Sequence, residues 1–180
     1  RGGSDLASTG IFLGGKNISK VEEIASHISK TFFGMLRVSV FIDPAGSNST
    51  AAAAVIAAKQ HMSFKPSSEG KAVRALVLGG TGPVGQRVSR LLANQGIHVH
   101  VASRSIDRAS HYCTQLNQTF SHAQLEPTSF EKVNEIINSV NLIISAGGPG
   151  VEMLRSTALR ATPPQSALTS MQYHCRRNWH

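Results

Sequence analysis

Three glycines, Gly80, Gly82 and Gly85, stand in Gly-x-Gly-x-x-Gly spacing directly after the apolar run Val73–Leu78. The spacing suits a phosphate-binding turn. Gly80 lets the chain leave a strand sharply. Gly82, with no Cβ, lets backbone N–H groups approach a pyrophosphate, and Gly85 lets the following helix pack tightly on the strand. The start of that helix adds unpaired N–H groups and a partial positive charge. Pro83 suits a first helical turn, where its missing N–H costs nothing. The loop Gly80, Thr81, Gly82, Pro83, Val84 and Gly85 is therefore expected to hold the phosphates of a dinucleotide.

Two further stretches should share that site. After the next strand, a protein that selects NAD usually carries an Asp or Glu for the ribose hydroxyls. This chain has Ser103-Arg104-Ser105, with Arg108 one turn further on. A serine and arginines can hold a 2′-phosphate that a carboxylate would repel, so the expected cofactor is NADP. After a later apolar strand come Ser145, Ala146 and Gly147, opening a small, glycine-rich turn through Gly150 against which a flat nicotinamide ring could sit. His98 and His100 alternate on a strand but have no third ligand of suitable spacing, so no metal site is expected. Ser145 lacks a nucleophile-elbow context, and no pair of carboxylates stands out for acid–base work. No catalytic side chain is assigned.

The elements that position these residues follow from periodicity and turn chemistry. Thr9–Leu13 is β-prone. Ser19 and Glu22 form a capping box for a helix carrying Val21, Ile24, Ala25, Ile28 and Phe32 on one face. Arg37–Asp43 alternates as a strand. Asp43-Pro44-Ala45-Gly46 turns the chain into an alanine-rich helix, Ser49–Lys59, which Ser47 or Asn48 can cap. His61–Gly70 is a linker. Beyond it, strands at Val73–Leu78, Ile97–Ala102, Ala123–Glu126 and Leu142–Ser145 alternate with three helical patterns. That order means βαβ units: an α/β protein with a doubly wound parallel sheet of Rossmann type, preceded by part of a smaller α/β N-terminal domain. The expected domains are 1–65, an incomplete nucleotide domain at 70–154, and an irregular tail at 155–180.

Composition sets limits. The chain is 41% hydrophobic and 16% charged, as in globular proteins. No apolar run reaches spanning length and no signal-peptide pattern opens the chain. Two isolated cysteines fit a reducing, cytoplasmic setting. The net charge of +8 owes half its value to Arg155, Arg160, Arg176 and Arg177 in the tail, and no basic run carries interleaved aromatics, so neither nucleic acid nor membrane is an expected partner. Apolar residues after Leu154 follow no period and acidic residues vanish, which raises the expectation of a reading-frame shift there. The sheet would then stop after four strands. The opening at Arg1, without an initiator Met, is expected to lie inside a longer protein.

The segments Ser8-Thr9-Gly10-Ile11-Phe12-Leu13-Gly14-Gly15, Phe32-Phe33-Gly34, Arg37-Val38-Ser39 and Asp43-Pro44-Ala45-Gly46-Ser47-Asn48-Ser49-Thr50-Ala51-Ala52-Ala53 resemble the N-terminal domain of bacterial methylene-tetrahydromethanopterin dehydrogenases. Leu78–Arg87, Ser103-Arg104 and Ser145-Ala146-Gly147 continue the resemblance in order, over roughly residues 1–154. It implies an NADP-dependent oxidoreductase of one-carbon metabolism in methylotrophs, converting methylene-tetrahydromethanopterin to the methenyl form. It also implies two domains with the pterin in the cleft between them, a homo-oligomer, and Gly46, Ser47 and Asn48 on the pterin side. The chemistry asks little of acids and bases. The methylene carbon lies between two nitrogens, and loss of hydride leaves a cation delocalised over both, so the protein's task is to align the partners and exclude water. The competing readings are a methylene-tetrahydrofolate or shikimate-type NADP-dependent dehydrogenase, and a catalytically silent NADP-binding remnant.

Overall fold

Arg74–Leu78 (β3) is the central strand of a five-stranded parallel sheet in the computed structural model of the chain. The structure describes residues 3–34, 36–66, 70, 72–120, 123–148, 153 and 167–170. On one side of β3 lie His98–Ser103 (β4) and Gln124–Ser129 (β5). On the other lie Leu142–Ser145 (β6) and Ala167–Ser170 (β7). The spatial order is β5-β4-β3-β6-β7, all parallel. The helices that alternate with these strands are Pro83–Ala93 (α3), Ile106–Thr119 (α4) and Val133–Ile136 (α5), the last flanked by 3₁₀ turns at Phe130–Lys132 and Ile137–Ser139.

The three strands β3, β4 and β6 are largely buried, which is why β3 and β6 read as near-continuous apolar runs. Alternation along β3 divides the core. Ala75 and Val77 pack with Val99, Val101, Leu142 and Ile144 under Val88, Leu92 and Cys113. Leu76 and Leu78 pack with Ala102 and Ile143 under Val133, Ile137 and Val140. This is the expected doubly wound Rossmann-type fold. Tyr112 ties α4 to α3 by donating its hydroxyl to the Gln86 carbonyl. Burial raises the Tyr112 pKa and pushes the Cys113 thiol up to about 12.

The chain divides into two compact units, Arg1–Thr50 and Ala51–His180. The first contains a 3₁₀ turn at Gly3–Ser8, then Gly10–Gly15 (β1), Ile18–Thr31 (α1) and Ser39–Pro44 (β2), with β1 and β2 paired in parallel. The helix Ser47–His61 (α2) follows. The division between the two units falls inside this helix. Ala51, Ala54, Val55 and Ala58 of α2 are buried in the core of the second unit. An alanine face lets a helix come close to its neighbours.

Local chemistry moved several boundaries. Asn17, not Ser19, caps α1: its side chain accepts from Lys20 N at 3.0 Å. Asp43, rather than Ser47 or Asn48, caps α2, accepting from Asn48 N at 2.9 Å and Ser49 N at 3.2 Å. The tail expected to be irregular contains β7, whose backbone pairs Leu142↔Ala167 through Ser145↔Ser170, so the sheet has five strands rather than four. An uncovered edge of β6 would leave a row of unpaired backbone groups, and β7 supplies their partners. The rest of 154–180 lies outside the described residues. Among the described residues, no helix is long and apolar enough to cross a membrane.

Candidate nucleotide-binding edge

The strand order reverses at β3, whose neighbours are reached by connections running to opposite sides. In open α/β sheets, ligands bind at such a switch point, beyond the carboxyl ends of the strands. Here Leu78 is in register with Ser145, so the glycine loop after β3 and the loop after β6 leave the sheet side by side. Ala146 N donates to Leu78 O at 2.9 Å.

Each loop glycine has a steric reason. A Cβ on Gly80 would stand 2.6 Å from a Val101 methyl, against β4. On Gly85 it would lie 2.7 Å from the Gly80 Cα, within the closest helix–strand approach of the loop. On Gly82, the residue before α3, it would meet Gly79 O at 3.2 Å. Pro83 opens the helix, as expected. The N–H groups of Val84 and Gly85 fall in its first turn, where no helical carbonyl lies four residues back. The spacing did not reveal Gly79. It has φ +70°, and a Cβ there would touch Ala146 and the Gly147 nitrogen at 3.1 Å. The Gly79-Gly80 doublet was the available signal.

The loops after β3 and β4 are joined through hydroxyls. Thr81 Oγ1 and Ser103 Oγ are 2.8 Å apart, and Ser105 N donates to Ser103 Oγ at 3.2 Å. Ser105 in turn caps α4, accepting from Arg108 N. Ser103 is 3% exposed and has committed its hydroxyl, so it braces the two loops. Arg104 and Arg108 are exposed and, among the described residues, have no carboxylate partner. Ser145 and Ala146 are half-buried, and Gly147 is exposed with the Met153 side chain packed on it: a Cβ there would stand 2.7 Å from Met153 Cγ. Met153, which no sequence pattern marked, also packs against the cluster around Leu76 and Leu78.

The N–H groups of the first α3 turn lie at this edge of the sheet, with the exposed Arg104 and Arg108 at the next strand end. This donor set fits a dinucleotide with an added phosphate.

The turn Asp43–Asn48 belongs to the first unit. Ala45 and Gly46 both have positive φ, +52° and +66°. For Ala45 that backbone is strained, and Ala45 N is held by Gly15 O at 2.8 Å. Ser47 is buried and donates to Pro44 O, while Asn48 Nδ2 donates to Ile42 O. Both side chains thus shape the turn itself.

His98 and His100 have a neighbour that sequence spacing did not show. Glu126, register partner of His100, places Oε2 3.3 Å from His98 Nε2 and 3.5 Å from His100 Nδ1. No ligand of suitable sequence spacing accompanies the two histidines, and cross-strand pairing brings Glu126 in from 26 residues beyond His100. Burial lowers the His100 pKa, with Glu126 opposing and His98 and Arg74 adding to the shift.

Comparison with known proteins agrees with this architecture. Residues 1–45 match the family model described as methylene-tetrahydromethanopterin dehydrogenase, N-terminal, and residues 49–172 match that of shikimate / quinate 5-dehydrogenase. The bifunctional protein MdtA of Methylorubrum extorquens is 36% identical over 163 residues, covering 88% of this chain and 54% of that protein. The NAD(P)-dependent methylenetetrahydromethanopterin dehydrogenase of the same organism is 30% identical, covering 91% and 56%. The chain therefore spans about half the length of these curated relatives. Among solved structures, a dipicolinate synthase chain from Bacillus halodurans superposes with a TM-score of 0.55 at 22% identity, covering 70% of this chain and 39% of that one. Quinate dehydrogenase from Corynebacterium glutamicum in complex with NAD gives 0.52 at 15%, covering 69% and 42%. These two likenesses establish the fold alone. By its match over 49–172 the chain belongs to the shikimate / quinate 5-dehydrogenase family, and its residues 1–45 are similar to the N-terminal part of methylene-tetrahydromethanopterin dehydrogenases.

Proposed function

We propose that this chain carries the nucleotide site of an NADP-dependent methylene-tetrahydromethanopterin dehydrogenase. The observation that carries the reading is the meeting of the glycine loop and the Ser145–Gly147 loop at the switch point, with Arg104 and Arg108 exposed at the neighbouring strand end. The relative named NAD(P)-dependent supports the choice of a nicotinamide cofactor. Gly80, Thr81, Gly82, Pro83, Val84 and Gly85 hold the pyrophosphate, the backbone N–H groups of the first α3 turn facing it. Arg104 and Arg108 take the 2′-phosphate, and Ser103 fixes the turn that presents them. The backbone of Ser145, Ala146 and Gly147 supports the nicotinamide. When bound, NADP supplies the hydride acceptor. The residues assigned here bind and orient, and none is required to move a proton.

The turn around Gly46 lines the pterin side, with Ser47 and Asn48 holding its shape. The experiment is direct. The chain is mixed with NADP and methylene-tetrahydromethanopterin, and NADPH formation is followed by its absorbance. Formation with this pterin supports the reading. NADPH formation with shikimate or methylene-tetrahydrofolate instead would favour the other dehydrogenase types, and nucleotide binding with no turnover would identify a silent remnant. The shikimate-type alternative draws its support from the family match over 49–172. What favours the pterin is the match over 1–45.

A further inference from the structure

We propose that His98, His100 and Glu126 form a binding site for a divalent transition-metal ion, zinc foremost, at the end of the sheet opposite the nucleotide edge. His98 is the first residue of β4 and Ser103 the last, so strand direction separates the two sites. His98 and His100 are two apart and share one face of the sheet, and Glu126 stands beside His100 on the adjacent strand. Two imidazoles and a carboxylate are a donor set suited to zinc and its borderline neighbours, and the fourth position stays open.

The spacing fits. Donors about 2.1 Å from a tetrahedral ion stand about 3.4 Å from one another. The two contacts to Glu126 Oε2 measure 3.3 and 3.5 Å, and all three donor atoms lie within 4.8 Å of one another. The His98 and His100 rings stack at 4.9 Å, so bringing their nitrogens together needs a side-chain adjustment and no backbone movement.

A second observation points to a ligand. The His100 side chain is 2% exposed, and its Nδ1, which faces Glu126, has no hydrogen-bond partner. The cause is Arg74. Its Nη2 lies 3.0 Å from His100 Nε2, and a guanidinium can only donate. Nε2 therefore accepts and the ring proton sits on Nδ1, where Glu126 at 3.5 Å is too distant for a good bond. Arg74 Nε is buried without a partner as well. Two orphaned polar atoms on residues in contact mark an arrangement that is not saturated. When an ion takes the Nδ1 lone pair, the ring proton moves to Nε2 and Arg74 turns out toward water. Arg74 thus competes with the ion.

The test titrates the full chain with Co²⁺ alone, read by the visible absorption of a four-coordinate ion, and then displaces it with Zn²⁺. A saturable band is expected. Glu126→Gln and His98→Asn alter exposed or half-exposed groups, and each should weaken binding by about tenfold or more. Arg74→Leu should tighten it, and His111→Asn, on the exposed side of α4, should leave it unchanged. Circular dichroism of each variant confirms that the fold is kept. Absence of a saturable band overturns the proposal. So do Glu126→Gln and His98→Asn titrations that superimpose on that of the unmodified chain.

Discussion

At Gly85 one added methyl group would collide with Gly80 and with the Gly79 carbonyl, both backbone and unable to swing aside. Gly85→Ala is therefore expected to destabilise the fold by about 1–3 kcal/mol, the usual cost of overpacking, seen as a lower denaturant midpoint. Gly82 differs. Its φ of −77° suits any residue, and its single tight neighbour is Gly79 O. Gly82→Val should fold with a modest loss of stability yet lose NADPH binding, because the side chain occupies the phosphate approach. An unchanged NADPH titration of that variant would mean that the loop is a turn and nothing more. At this scale the sequence marked Gly80, Gly82 and Gly85 because their roles are local. Gly79 and Met153 carry no local signal because their neighbours, Ala146 and Gly147, lie on a loop brought in by strand pairing. Ser103, expected at the ligand, is buried and bonded to Thr81 and Ser105, contacts that no local pattern indicates.

Among the elements, α2 and α4 carry sharper consequences than their sequences suggest. Ala51, Ala54 and Ala58 are at most 1% exposed, so the alanine face of α2 is filled to its limit. Ala54→Leu should cost about 1–3 kcal/mol, checked by chemical denaturation, whereas a neutral effect would show that the helix can shift outward. In α4, burial lifts the Cys113 pKa from an ordinary 9.0 to about 12, with Glu126 adding to the rise. The folded chain then holds this proton longer than the unfolded chain. Stability from Cys113 is complete below pH 9.0 and is lost as the pH rises toward 12. Denaturation midpoints should fall across that window, and less steeply in Cys113→Ala. Equal slopes would place the alkaline loss elsewhere. Element types were legible in advance because β3 and β6 are apolar but for one end residue each, β4 is rich in β-branched valine, and α3 keeps helical spacing. Ends were less so: Asn17 and Asp43 cap helices from positions where several residues could have done so, and only backbone geometry chooses among them.

For the molecule as a whole, periodicity gave the alternating strands and helices, hence the parallel sheet, but not its fifth strand. Ala167–Ser170 is short and carries one large apolar residue, so nothing local distinguished it from loop, and its partner is β6 rather than a neighbour in sequence. The boundary between the units was hidden for a related reason, since α2 continues through it without a break in helical pattern. The charge balance at the nucleotide edge was visible as residue types, and the structure adds that Arg104 and Arg108 stand exposed. The central claim is that this edge selects NADP, and titration of the chain with NADPH and NADH tests it most directly. NADPH should bind saturably and about tenfold or more tighter than NADH, with Arg104→Asp removing or reversing the difference. Equal affinities in the unmodified chain, or no saturable binding of either nucleotide, would contradict it.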